Sequence, residues 1–238
     1  MDLEDLRDKL KRDFPAIKGY FSKTTSTNNT AINRELNLAA IQVAYDTLCI
    51  PHKTSVSLTE NDADYDLNSL ITNFLRLDEK GGVLFYDGTT YNKLGFTSPD
   101  ELDENEVDWR STDAGLPEKC FMEGASLNVW PKPNDDYENG LLIYCGLLPT
   151  EMSGDSSDPF NDMTHLKPIH PLVVLWEGCE FKKSQGGTKW KDYDRLIKIY
   201  AARVQQFVDF KEGKFEGPHF PDMTILPGYM GSFRSRGR

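Results

Sequence analysis

Apolar residues recur every three or four positions near both ends of the chain, which is the spacing of helices with one buried face. This spacing predicts four helices, over about residues 3–14, 31–48, 172–183 and 189–212. Thr30 is the predicted N-cap of the second helix, because a side-chain hydroxyl accepts a bond from an unpaired amide of the first turn. The Ser-, Thr- and Asn-rich residues 22–30 predict a loop before that helix, and the polar residues 151–162 predict an exposed loop.

Between the helical regions, apolar and polar residues alternate in short runs bounded by turn residues, which is typical of half-buried strands. The runs predict strands over residues 54–59, 65–67, 74–77, 83–86, 119–122, 126–130 and 141–144. Asp87-Gly88 predicts a turn, and Ser98-Pro99 predicts the N-cap and first position of a short helix. Pro131 and Pro133 predict the end of a strand, because proline donates no ladder hydrogen bond.

These elements predict an α+β fold, in which a helical bundle carries an inserted small antiparallel β-sheet or barrel-like domain. The expected bounds are residues 1–51 and 160–213 for the bundle and 52–150 for the β-rich insertion. Residues 214–238 have no regular period and predict an extended C-terminal arm.

Charge and hydropathy narrow the classes of function. The chain has 238 residues and a net charge of −11, which argues against general nucleic-acid binding because phosphates require a basic face. No run approaches the roughly 20 apolar residues of a membrane span. Residues 1–12 are charged and lack the apolar core of a signal peptide, so the expected site of synthesis is a cytoplasm.

The sequence predicts no catalytic residue, no cofactor and no metal site. The four cysteines are widely spaced and predict buried thiols, and no nucleophile elbow, metalloprotease, Walker or dinucleotide motif is found. His165 and His170 are the closest pair of histidines, five residues apart, and the expectation is that they bind no metal. The acids between Asp100 and Asp108 are interpreted as a solvated face.

The tryptophans leave an alternative open. Trp109 and Trp130 are either core residues or stacking platforms for a sugar, and Trp109 lies beside Asp108 and Arg110. The alternative function is therefore a carbohydrate-binding or hydrolytic β-rich module, of a virion or of a bacterial protein, with an open aromatic cleft.

The C-terminal arm carries the candidate binding residues. They are aromatic and arginine side chains in an acidic protein, namely Phe220, Tyr229, Phe233, Arg234, Arg236 and Arg238. Arginine binds carboxylates in a two-point geometry that lysine does not match. The arm is either a solvated tail or a segment that docks on an acidic partner, in a virion or as part of a soluble bacterial protein.

The order of several short motifs resembles a known family. Val56-Ser57-Leu58-Thr59 is followed by Gly115-Leu116-Pro117, then by Leu127-Asn128-Val129-Trp130-Pro131-Lys132-Pro133, and then by His170-Pro171-Leu172. Over residues 31–211 this order resembles the head-to-tail adaptor (connector) proteins of tailed bacteriophages, although Trp130 stands where that family commonly has tyrosine.

The resemblance implies a structural virion protein in the neck below the portal vertex, and no enzyme. It implies a ring of about twelve copies that joins the portal protein to a tail or nozzle protein, with the arm docked on the portal. It also implies that DNA passes through the ring without specific binding. The acidic charge agrees with this, because like charge disfavours the counterion release that holds proteins on phosphates.

Overall fold

A computed structural model describes residues 1–18, 20–21, 24–78, 82–106, 108–160, 163–186 and 188–211. The chain divides into two compact units. A helical unit contains Met1–Ile50 and the residues from Leu148 onward, and a β unit contains Pro51–Leu147. With helices and sheets segregated along the chain, the fold class is α+β, as predicted.

The described residues form six α-helices. They are α1 (Leu3–Asp13), α2 (Thr25–Thr47), α3 (Leu67–Leu70), α4 (Pro99–Asn105), α5 (His170–Ser184) and α6 (Trp190–Lys211). Short 3₁₀ helices occupy Pro15–Ile17, Trp109–Ser111 and Thr164–Ile169. The helical unit is built from α1, α2, α5 and α6, and α5 packs against the other three.

Helix α1 follows the predicted pattern. Asp2 caps it by accepting a hydrogen bond from the amide of Asp5 at 2.9 Å, and Leu3, Leu6 and Leu10 are fully buried. Phe14 ends the helix one residue before Pro15, as expected for a residue that proline keeps out of helical geometry.

The predicted loop before α2 is wrong from residue 25 onward, because the helix begins at Thr25 and not at Ala31. Thr30 therefore lies inside the helix, where its hydroxyl donates to the carbonyl of Ser26 at 3.1 Å. Asn28 is buried and accepts a hydrogen bond from the amide of Phe21. Tertiary packing of this polar turn outweighs its weak helix propensity.

The predicted exposed loop after the β unit is wrong in part. Met152 and Phe160 are buried, and the carbonyls of Asp155 and Ser157 accept hydrogen bonds from the first amides of α1. The Asp155 carboxylate also lies 3.1 Å from Arg7, which is buried on α1. The segment therefore closes the N-terminal end of α1, where amides lack partners within the helix.

The β unit contains nine strands among the described residues. They are β1 (Pro51–Leu58), β2 (Asp64–Asp66), β3 (Phe74–Leu77), β4 (Val83–Tyr86), β5 (Tyr91–Lys93), β6 (Gly95–Phe96), β7 (Lys119–Glu123), β8 (Ser126–Trp130) and β9 (Tyr137–Leu147). Strand β8 ends at Trp130, as the prolines after it predict. The Trp130–Pro131 peptide bond is cis.

The strands form two sheets. One has the order β1-β9-β4-β5 with β3 also paired to β9, and the other has the order β2-β8-β7-β6. The pairs are antiparallel except for β6 with β7. The described strands do not close a barrel, which corrects the barrel-like alternative.

One buried cluster holds the β unit together, and it draws side chains from both sheets. Val56, Phe85 and Ile143 come from the first sheet, and Leu127 and Val129 come from the second. The alternation along β8 places Leu127 and Val129 on the buried face and their neighbours on the outer face.

Candidate assembly surfaces

The four cysteines are buried and free. Burial raises the pKa of the thiols of Cys49 and Cys120 to about 12, and that of Cys145 to about 11. Burial also raises the pKa of Cys179. A thiolate is the nucleophilic form, so none of these four side chains is placed for nucleophilic chemistry.

His165 and His170 are the closest pair of histidines in the sequence, and the expectation for them was that they bind no metal. The described side chains contain no group of three or more His, Cys, Asp or Glu that could hold an ion. His170 is fully buried, with Nε2 3.4 Å from the Asp158 carboxylate, and burial lowers the pKa of its imidazole. The side chain of His165 lies outside the described residues.

The outer side of the second sheet carries a cluster around Trp109, which we call the Trp109 cluster: Asp103, Trp109, Arg110, Phe121 and Trp130. The indole of Trp109 donates to Asp103 at 2.7 Å, and the indole of Trp130 donates to the Trp109 carbonyl at 3.2 Å. The Phe121 ring meets the Trp109 ring at 89°, with 5.8 Å between centroids. These contacts tie the 3₁₀ turn at Trp109–Ser111 to α4 and β8.

Arg110 covers the ring of Trp109 and so restricts what the Trp109 cluster can bind. Its guanidinium lies 4.4 Å from the centre of the Trp109 ring and is paired with Asp103. That pairing holds the pKa of the Asp103 carboxyl below its usual range. Because the arginine covers the ring face, the geometry fits a fixed surface better than the open aromatic cleft that carbohydrate binding requires.

The acid that contacts Trp109 is Asp103, six residues before it, and not the neighbouring Asp108 that the sequence suggested. Asp108 instead occupies a left-handed backbone position before the 3₁₀ turn. Among the acids predicted to form a solvated face, Glu106 also has a partner, Lys119, at 2.9 Å. Asp103 lies in α4, whereas Glu106 follows the helix in extended geometry, so no helical repeat links the two positions and the sequence contains no short-range signal for these contacts.

Asp103→Ala is expected to loosen residues 108–118 without unfolding the β unit, because it removes the acceptor shared by Trp109 and Arg110. Hydrogen exchange should rise in this segment while the melting temperature changes little, since exposed ion pairs contribute little to stability. Glu104→Ala, on the same helix at an exposed position, is the matched control. Equal exchange rates in both variants would contradict this role.

Helix α2 presents a second candidate surface. Leu38, Ile41 and Tyr45 are 54%, 37% and 47% exposed, and their spacing places them along one side of the helix. We call them the α2 stripe. Large apolar side chains that are exposed together mark contact surfaces more often than single ones do.

The predicted docking arm cannot be located on this structure. Phe220, Tyr229, Phe233, Arg234, Arg236 and Arg238 all lie outside the described residues, so their role stays a prediction.

Comparisons with known proteins define the family. A search of the curated proteins finds no match. None of the helices described is long and apolar enough to cross a membrane. The family model of the SU10 adaptor protein matches residues 1–209, which include the whole β unit and nearly all of the described helical unit. The chain therefore belongs to the SU10 adaptor family, a family of structural phage proteins that act as head-to-tail adaptors.

Proposed function

We propose that this chain forms a ring of about twelve copies in the virion neck, where it joins the portal protein to a tail or nozzle protein and lines the DNA channel. The main support for this proposal is the family match over residues 1–209. The match is specific because it covers residues of both structural units and does not depend on a single short motif. The net charge of −11 supports passage of DNA without binding.

In this proposal the β unit is an insertion that the helical unit presents to the next component of the neck. The fixed outer surface of the Trp109 cluster suits such a contact. Its aromatic and arginine side chains are types enriched at protein interfaces.

The C-terminal arm, residues 214–238, is proposed to dock on the portal protein. It lies beyond the residues that the family model matches, so its attachment to a partner rests on its own composition. Individual contacts by Phe233 and the three arginines are weak, but about twelve arms engage at once, and multivalency multiplies their effect.

Deleting residues 227–238 is expected to abolish attachment to the portal while the fold stays intact. The buried side chains that the structure describes all lie at or before Val204, so their packing is unaffected. A phage that carries the truncated gene should yield DNA-filled heads without tails in electron micrographs, and the purified chain should keep its circular dichroism spectrum.

A triple Arg→Lys variant at residues 234, 236 and 238 is the matched control, because it keeps the charge and removes two-point carboxylate binding. Tailed particles should fall in number with this variant but not vanish. Normal tailed particles from the truncated chain would overturn the role of the arm. A neck without a symmetric ring of this chain would overturn the ring.

A further inference from the structure

A buried histidine joins three segments of the helical unit. His170 is the first residue of α5 and is fully buried. Its Nδ1 atom lies 2.7 Å from the carbonyl oxygen of Met1, and its Nε2 atom lies 3.4 Å from the Asp158 carboxylate. Asp158 directly follows Ser157, whose carbonyl accepts a hydrogen bond from the first amide of α1. His170 therefore connects α5 to the start of α1 and to the segment that closes that end of α1.

The contact with Met1 fixes which ring nitrogen of His170 carries a hydrogen. A carbonyl oxygen only accepts, so the hydrogen of the neutral imidazole is on Nδ1. Nε2 then offers only a lone pair, and it has no hydrogen-bond partner in the part of the chain that the structure describes. A proton taken up by His170 would therefore bind at Nε2, on the side of the ring that faces Asp158.

Most of the surroundings of His170 oppose a positive charge. Full burial removes the water that would solvate an imidazolium ion, and the first turn of α5 carries the partial positive charge of a helix N-terminus. The amino group of Met1, 3.1 Å from Nδ1, and Lys167 are cations that act on the ring. Asp158 and the Met1 carbonyl favour the charged form, but burial has the larger effect and lowers the pKa of the imidazole.

Helix α1 is the element whose position keeps this histidine buried. It packs on α5 with Leu3, Leu6 and Leu10 fully buried, and Met1, at its start, lies against the ring. When the start of α1 moves away from α5, the ring loses its contact with Met1 and becomes accessible to water. Water solvates an imidazolium ion at both nitrogens, so the open form binds the proton more strongly than the closed form.

We propose that His170 is a pH-sensitive switch, in which the neutral ring holds α1 on α5 and the protonated ring releases the start of α1 together with residues 151–158. The ordinary pKa of histidine is about 6.5, and the closed form has the lower pKa. The closed form is therefore fully favoured above pH 6.5, and the open form gains population as pH falls below it. Opening exposes the apolar face of α1. The switch belongs to the single chain and does not depend on the proposed ring.

Hydrogen exchange of the full chain, followed by mass spectrometry at pH 7.5, 6.5 and 5.5, tests this switch. Carboxylates with ordinary pKa values stay ionised over this range, so the contact between Arg7 and Asp155 is unaffected. After correction for the intrinsic pH dependence of amide exchange, residues 3–13 should exchange faster at pH 5.5 by up to about tenfold, the limit for one proton. Exchange in β9 should not change, because the opening is local.

His170→Asn removes the titration and keeps a hydrogen-bond donor, because the amide nitrogen of asparagine takes the place of Nδ1 and does not ionise. The change in exchange between pH 7.5 and 5.5 should fall below about twofold in this variant. Glu177, which has its own pH dependence, is present in both chains and does not affect the comparison. His52→Asn, at an exposed histidine of the β unit, is the matched control and should keep the full effect.

Asp158→Asn is a second, independent test, which decides alone if His170→Asn does not fold. It removes a charge that favours the protonated ring and keeps an oxygen that accepts from the Phe160 amide. Its rise in exchange should be at least as large as that of the unmodified chain, and a smaller rise would overturn the switch. The switch would also be overturned by slower exchange of residues 3–13 at pH 5.5, by an equal rise in His170→Asn, or by an equal rise in β9.

Discussion

Glu177→Gln is expected to stabilise the helical unit at pH 8 and to have little effect at pH 4. Burial and the nearby Glu35 and Glu180 raise the pKa of the Glu177 carboxyl from 4.5 to about 8. The folded chain therefore keeps the proton between these two pH values, whereas the unfolded chain releases it. Unfolding releases a proton throughout this window, so the free energy of unfolding falls as pH rises from about 4.5 to 8.

The size of the effect follows from the same shift. One pKa unit corresponds to about 1.4 kcal/mol, so the full window gives an upper limit of about 5 kcal/mol, and structural relaxation should reduce the gain to about 2–4 kcal/mol at pH 8. Glutamine has nearly the same shape and does not ionise. Urea unfolding followed by helical circular dichroism at pH 4, 6 and 8 measures the difference.

Glu151→Gln is the control for this prediction, because Glu151 lies in the helical unit, is exposed and is not among the charges that raise the Glu177 pKa. Its effect should stay within about 0.5 kcal/mol at each pH. If the Glu177→Gln chain loses stability with pH as steeply as the unmodified chain, the buried carboxyl is not the cause.

Gly178→Ala is expected to destabilise the helical unit by about 2–3 kcal/mol. A Cβ built on Gly178 would overlap the ring of Phe14, which is buried and packs on Tyr193 at 5.3 Å between centroids. The ring has little room to move, and overpacking of a core costs about 1–3 kcal/mol or more. Alanine gains about 1 kcal/mol of helix propensity over glycine, so the two effects have opposite signs.

Thermal unfolding of the Gly178→Ala variant therefore measures whether overpacking against Phe14 or the higher helix propensity of alanine dominates. Phe14→Leu removes part of the ring, and the double variant Phe14→Leu/Gly178→Ala should be nearly as stable as Phe14→Leu alone. The expected coupling between the two positions is about 2–3 kcal/mol, the whole effect of Gly178→Ala, since they are in contact. A Gly178→Ala chain more stable than the unmodified one would show that propensity dominates and that the helices separate easily.

Local signals made most of the elements predictable from sequence. Ser98 caps α4 by accepting from the amide of Glu101 at 3.1 Å, and Pro99 takes the first helical position, as predicted from those two residues alone. Asp87 accepts hydrogen bonds from the amides of Thr89 and Thr90 in the predicted turn. In each case the bonds join residues within three positions, so the sequence pattern contains the whole interaction.

Contacts between distant residues were not predictable in the same way. The start of α2 depends on the buried Asn28, and Phe160 is buried although its neighbours are polar. The division of nine strands into two sheets depends on pairings such as Thr54 with Ile143, which no short pattern specifies. Tertiary packing decides all of these features, and it outweighs local propensity where the two conflict.

The candidate surfaces were also only partly predictable from the sequence. The sequence singled out Trp109 and its neighbouring charges, but the partner acid is Asp103, because the turn at Trp109–Ser111 folds back on α4. The α2 stripe was missed because Leu38 and Tyr45 fit a helical pattern that gives no indication of which apolar residues remain exposed. A helix with apolar residues around most of its circumference does not reveal from sequence alone which side is covered.

The register of β1 and β9 has a consequence for how such a protein can change over time. Pro51 pairs with Gly146 at the two ends of the β unit, and paired antiparallel residues have Cα atoms about 5 Å apart. A two-residue turn bridges the same gap. Recombination can therefore exchange, shorten or remove the whole insertion while the ends that the helices must connect stay the same distance apart. A phage lineage can in this way acquire a new β unit, with a new exposed surface, as a single segment.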